Sequence, residues 1–163
     1  MANADRPRGF WPYGPVLRAN KLEAGSAIYP GDFVRLEADG KVDPADASEE
    51  LLGVALNYAS GDGQKVLVAD SPEQKFIVQA DEADVDAQTD IGKNANIVAT
   101  AGNSTYKVSR HELDSSTLAG TTTLPLKLLG IEPAIDNALG AQVKCVVKIN
   151  NHQLGNQTDT DGE

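Results

Sequence analysis

Residues 65–80, KVLVADSPEQKFIVQA, decide the fold class. The two ends, KVLVAD and KFIVQA, are six-residue runs rich in β-branched and aromatic side chains, the composition and length of strands. Ser71-Pro72 between them is turn-forming, because proline pre-sets φ and removes a donor. The pair predicts a hairpin. The same texture continues in both directions, with apolar runs at 32–37, 51–58, 95–100, 105–110, 124–130 and 142–149. Turn formers separate them: Pro30-Gly31, Asp39-Gly40, Gly61-Asp62-Gly63 and Gly102-Asn103. Residues 33–36 and 41–42 predict a second hairpin. Eight short runs and no helical stretch of 12 residues predict an all-β domain, a small β-barrel or β-sandwich with little helix. Asp43 and Pro44 have the N-cap and first-turn chemistry for one helical turn over 43–50. The acidic stretch 81–90 reads as a solvated loop.

Texture divides the chain into three parts. Residues 1–20 hold three prolines, the only tryptophan, and Arg6, Arg8 and Arg18 against Asp5. They predict an extended N-terminal arm, basic on an acidic protein. Residues 21–150 are the β-rich body. Residues 151–163, polar and nearly without apolar side chains, predict a flexible C-terminal tail.

Composition narrows the function classes. Leu, Ile, Val and Phe make up 38 of 163 residues, about 23%, enough for one core without surplus. Fourteen Lys and Arg against 24 Asp and Glu leave a net charge of −10, which disfavours a nucleic-acid partner by repulsion from phosphates. No run of 18 apolar residues exists to cross a membrane. The opening MANADRPRGFWPYGP has no apolar h-region and does not read as a secretory signal. One cysteine, Cys145, excludes an internal disulfide framework.

Motifs for chemistry fail one by one. A calcium loop starting at Asp84 needs glycine sixth and glutamate twelfth, and has Thr89 and Ala95. His111-Glu112 opens a zincin pattern whose second histidine would fall at 115, where serine stands. Residues 102–106, GNSTY, lack the second glycine of a nucleophile elbow and read as a hairpin turn. Cys145 lies in an apolar run and reads as a small core residue. The sequence therefore predicts no catalytic residue, no metal site and no cofactor.

The arm is the informative element. Phe10, Trp11 and Tyr13 stand within four residues, flanked by Arg6, Arg8 and Arg18. Aromatics and arginine are the residue types enriched at interface hot spots. Such a segment docks on a partner or folds back as a lid on its own domain, and both readings stay open.

Residues 24–42, AGSAIYPGDFVRLEADGKV, followed by LLGVALNYAS at 51–60, resemble the opening of small capsid decoration (cement, or head-stabilising) proteins of tailed bacteriophages. HELDSSTLAG at 111–120 and DNALGAQVKCVVKINNHQL at 136–154 are similar to phage virion structural proteins. The first stretch also resembles the β-clip module of antifreeze-like and sugar-acid synthase C-terminal domains. The decoration resemblance implies a non-enzymatic protein on the outer capsid surface of the virion, assembled in the host cytoplasm. Its partner would be the major capsid protein, and it would act as a homo-oligomer, most simply a trimer. The arm role then falls to Arg6, Arg8, Phe10, Trp11, Tyr13 and Arg18, and deletion of 1–20 would leave a folded domain unable to bind shells. The alternatives are another virion β-module, such as a fibre or tail component, a carbohydrate-binding domain, or an enzyme's accessory domain.

Overall fold

The computed structural model describes residues 3–81, 85, 88–121 and 123–155. It is a sandwich of two antiparallel sheets, not a closed barrel. The six-stranded sheet runs in the order β1 (Trp11–Pro12), β7 (Lys75–Gln79), β11 (Lys144–Ile149), β10 (Leu126–Ile131), β8 (Asn94–Val98) and β9 (Glu112–Ala119). The five-stranded sheet runs β2 (Ala19–Glu23), β6 (Lys65–Ala69), β5 (Gly53–Ala55), β3 (Phe33–Leu36) and β4 (Val42–Pro44). Each sheet curls until its ends nearly meet, at one parallel bridge each: Ala80 to Leu113 and Ala24 to Val42.

Two apolar clusters fill the molecule. Phe76 and Val78 of β7 and Cys145, Val147 and Ile149 of β11 join Phe33, Val54 and Ala69 of the smaller sheet in the first. Val34, Val66 and Val68 point the other way, into a second cluster closed by Ala24, Ile28, Leu52 and Ala59. Around Phe33–Val34, Val54–Ala55 and Val68–Ala69 the smaller sheet is thus buried on both faces, which is why those strands carry apolar residues at neighbouring positions.

The predicted hairpin at 65–80 does not form. β6 pairs with β2 and β7 pairs with β11, each over five residues, so the chain crosses between sheets at 70–74. The physical reason is that Val66 and Val68 belong to one cluster and Phe76 and Val78 to the other. The β3–β4 hairpin does form, with Leu36 opposite Val42. The helical turn over 43–50 is replaced by β4, whose Pro44 lies opposite Val34 at the sheet edge, where a missing N–H is tolerated. Residues 105–110 form no strand. Asn103 Oδ1 instead accepts from the N–H groups of Thr105 and Tyr106, and an Asn103–Val108 bridge closes the turn. Residues 112–119, which lie in none of the predicted strands, form the edge strand β9.

Both predicted ends also change. The arm boundary at 20 falls inside β2, and Phe10 is fully buried, so residues 3–20 belong to the sandwich. In the predicted tail, His152 is buried and bridged to Leu51, and Gln153 both donates to and accepts from the backbone of Leu36. Residues 156–163 lie outside the described residues. Of the acidic loop, Gln88–Asp90 forms a 3-10 turn, and 82–84 with 86–87 lie outside the described residues.

Candidate docking face

Strand alternation builds a distinct outer face on the six-stranded sheet. Phe76 and Val78 turn inward on β7, so Lys75, Ile77 and Gln79 turn outward; on β11, Lys144, Val146 and Lys148 do the same. Register then aligns them in rows. Trp11, Ile77, Val146 and Gly130 stand opposite one another across β1, β7, β11 and β10. In the next outward row, Lys75, Lys148 and Lys127 align, and Tyr13 ends it by donating its N–H to the Lys75 carbonyl at 2.9 Å. A third row holds Gln79 and Lys144.

The N-terminal segment is tied down along this face. Gln79 Oε1 accepts the Arg6 N–H at 2.7 Å, while its Nε2 donates to Asp5 and Glu112 at 2.9 Å each. Trp11 Nε1 donates to the Arg8 carbonyl at 2.9 Å. Between the segment and the sheet runs a groove of about 330 Å³, bordered by Arg6, Arg8, Trp11, Ile77 and Lys144, with Glu132 and Asp136 opposite. Arg6 and Arg8 are exposed, and neither guanidinium is engaged by another described residue. Lys148 reaches Glu73 at 3.1 Å and Lys144 reaches Glu132 at 4.0 Å, both long flexible pairs at the rim. Six of the chain's 14 cations therefore gather on one face of a molecule with a net charge of −10.

Of the six arm residues singled out from sequence, Arg6, Arg8, Trp11 and Tyr13 meet on this face. Phe10 does not: its ring lies in the core, 4.1 Å from Phe33. Arg18 does not either. It sits at the start of the other sheet, where its Nε is 2.8 Å from Asp70 Oδ1, and Asn20 Nδ2 holds the other carboxylate oxygen. Asp70 is 1% exposed, so Arg18 is there to neutralise a buried charge. The lysine row and Ile77 were not singled out, because alternation shows that they share a face but not how much of it stays uncovered; Val146, in the same row as Ile77, is only 7% exposed.

The buried titratable groups are committed to structure. His111 Nδ1 accepts the Phe33 N–H at 3.2 Å, and its Nε2 points at Asp32 Oδ1, 3.6 Å away. Nδ1 is thereby engaged, Nε2 stops short of a hydrogen bond to Asp32, and neither addresses the Ser109 hydroxyl, which instead accepts the His111 backbone N–H. That is not a nucleophile-base arrangement. Burial lowers the His111 pKa, against the pull of Asp32 and Asp46. Burial also pushes the Cys145 thiol up to about 12, which leaves it protonated and unreactive at neutral pH. Burial raises Glu112 as well, opposed by its Gln79 hydrogen bond and reinforced by Asp5 and Asp81. Among the described residues, no group of three or more His, Cys, Asp or Glu is placed to hold a metal ion.

Compared with known proteins, the sequence matches no protein-family model and no curated protein.

Proposed function

We propose that the protein is a non-enzymatic structural module that docks through the outer face of its six-stranded sheet, and that it serves as a capsid decoration protein. In this reading it binds the major capsid protein on the outside of an assembled phage head, as an oligomer, and strengthens contacts between capsid subunits. The observation that carries the docking role is half-buried Trp11 packed opposite half-buried Ile77, beside two unengaged arginines. An apolar aromatic anchor with arginines at its rim has the composition of an interface hot spot. The resemblance of 24–42 and 51–60 to decoration proteins supplies the kind of partner.

Pre-ordering favours such a role. Phe10 and Gln79 already fix the N-terminal segment, so docking does not cost the roughly 1–2 kcal/mol per residue of backbone ordering. Rim cations steer approach to an acidic patch, and repeated copies on a lattice gain avidity.

The test is co-sedimentation with a panel of mature, undecorated phage shells that includes the cognate one. The wild-type chain is expected to bind. Arg6→Glu/Arg8→Glu and Trp11→Ala are expected to weaken binding by roughly 30-fold or more, the effect of losing a hot spot. Retained binding by both variants would move the docking surface elsewhere, and failure of the wild type on every shell would sink decoration. Arg18→Ala should behave oppositely: binding kept, but stability reduced by about 1–2 kcal/mol as Asp70 loses its partner, the half-exposed arginine limiting the loss. Thermal unfolding of that variant checks it. The Trp11 groove also favours a second reading, glycan binding, which a glycan array with a Trp11-dependent hit would support.

A further inference from the structure

The groove beside Trp11 has two fixed walls. Asn3 clasps one end: its Nδ2 donates to the carbonyls of Ala138 and Ala141 at 2.8 Å each, and its Oδ1 accepts the Ala138 N–H at 3.2 Å. The loop on that side is pinned by buried Asn137, whose Nδ2 donates to the Glu132 and Lys144 carbonyls while its Oδ1 accepts the Lys144 N–H. Gln79 and buried Phe10 hold the other wall, the N-terminal segment. Neither wall has to order on binding, which lowers the cost of filling the space between them.

The walls differ in charge. Glu132 and Lys144 answer each other at 4.0 Å. That leaves exposed Arg6 and Arg8, neither engaged by another described residue, facing Asp136 alone. Arg6 and Arg8 border the groove and Pro7 between them does not. Proline fixes its own φ and holds the residue before it extended, so the two arginines leave an extended chain on the groove side. Same-side positions of such a chain repeat about every 7 Å. The Trp11 indole comes next along the groove, held at the Arg8 carbonyl by its Nε1, with Ile77 opposite. A volume of about 330 Å³ is at the small end of ligand sites and suits a few side chains of an extended segment.

We propose that the groove takes an extended acidic peptide segment of a partner protein. Carboxylates at alternate positions meet Arg6 and Arg8, and an apolar side chain two residues on meets Trp11 and Ile77. Carboxylate and guanidinium match as bidentate, charge-assisted pairs. The alternation selects a strand-like segment, because side chains i and i+2 of an extended peptide share a side with the spacing of the arginines. A nucleic acid is disfavoured by the net charge of −10. This inference rests on the docking reading of the same face, and not on the capsid as the source of the segment.

Trp11 is the only tryptophan, so its emission reports on the groove in the full chain. The probe is the peptide acetyl-TDTDTLT-amide, titrated to millimolar concentration, with the reversed sequence alongside because either chain direction sets the acids on the arginines. A saturable change in emission is expected for at least one of the two, weakening as salt is added. Replacing both acids by Asn, or placing them next to each other, is expected to weaken binding by about tenfold or more. Arg6→Gln and Arg8→Gln should each do the same with native circular dichroism, because the tie to Gln79 uses the Arg6 backbone N–H. Asp136→Asn removes the opposing charge and is expected to tighten binding by about twofold. No saturable change with either peptide, equal binding of the Asn or adjacent-acid peptides, or unchanged affinity in both arginine variants would each overturn the proposal. So would a galacturonic-acid oligomer that saturates the groove at lower concentration, which would give it to an acidic glycan. Peptide failure beside arginine-dependent sedimentation with shells would remove this occupant and leave docking standing. Peptide binding with no shell bound would support the groove's occupant and move its source away from the capsid.

Discussion

Phe10→Ala is expected to remove about 3–5 kcal/mol of folding stability, the usual cost of emptying a buried phenylalanine site. The ring is fully buried, 4.1 Å from Phe33, which in turn meets Phe76 edge-on at 5.5 Å. Those three rings join the N-terminal segment to both sheets. The backbone offers no way to collapse the gap, because Gly9 is locked beside it. Gly9 has φ +76°, and a Cβ there would lie 2.4 Å from the Gly31 carbonyl oxygen and 2.5 Å from Ser109 Cβ. For a domain of this size the loss corresponds to a fall in melting temperature of roughly 10 °C or more, read by calorimetry. Deleting residues 1–20 removes more: Phe10, β1 and the first two residues of β2. The truncated chain is therefore expected to lose its fold, against the sequence-based expectation that the body stands alone; circular dichroism of the truncated chain decides between the two. Docking has to be tested by substitution at the surface. A wild-type melting temperature for Phe10→Ala would show that the ring is not part of the core.

The strands that could be read from sequence are those whose side chains meet a core. β3, β6, β7, β8, β10 and β11 all fall on apolar runs, because burial selects β-branched and aromatic residues there. β9 was illegible for the opposite reason. In ELDSSTLA it is an edge strand that buries only Leu113 and Ser115 fully, so its polar residues look like a turn. Pro44 was ambiguous in kind, since proline fits both a first helical turn and a sheet edge. Pairing was the least legible property. The short spacing of β6 and β7 suggests a hairpin, yet which cluster each strand fills depends on residues more than 60 positions away, such as Cys145 and Val147.

The docking face was half legible. The aromatic and arginine content of the N-terminal segment pointed to it, and parity would have divided the segment further. In an extended chain Trp11 and Tyr13 point to one side while Phe10 and Pro12 point to the other. Sequence does not say which side is the core. Phe33 settles that by packing on Phe10, with Phe76 of the other sheet edge-on against Phe33. Arg18 was grouped with the arm by proximity alone, whereas its partner Asp70 stands 52 residues away.

Acid is expected to destabilise the protein well before its carboxylates titrate. His152 is buried where the chain returns beside Leu51, its Nδ1 accepts the Leu154 N–H at 2.9 Å, and Asp70 and Arg18 face it. Burial pushes its pKa down to about 4, with Asp70 opposing and Arg18 reinforcing. Above pH about 6.5 the ring is neutral in both folded and unfolded chains, and its full contribution is present. As pH falls from there to about 4, the unfolded chain takes up a proton that the folded chain refuses, and stability drops. At about 1.4 kcal/mol per pH unit the loss is about 2 kcal/mol by pH about 5 and about 3 kcal/mol once the window is crossed. His111 acts in the same direction, because burial lowers it too. Glu112 acts in the opposite one: its raised pKa lets the folded chain bind a proton first, so falling pH returns some stability there. Thermal unfolding near neutral pH and again at mildly acidic pH, in wild type and in His152→Gln, separates these contributions. Glutamine can offer Leu154 an acceptor and does not titrate, so the variant is expected to lose several degrees less on acidification than the wild type. An equal loss in both would assign the acid sensitivity to groups other than His152, with His111, packed against Asp32 beneath β3, first among them.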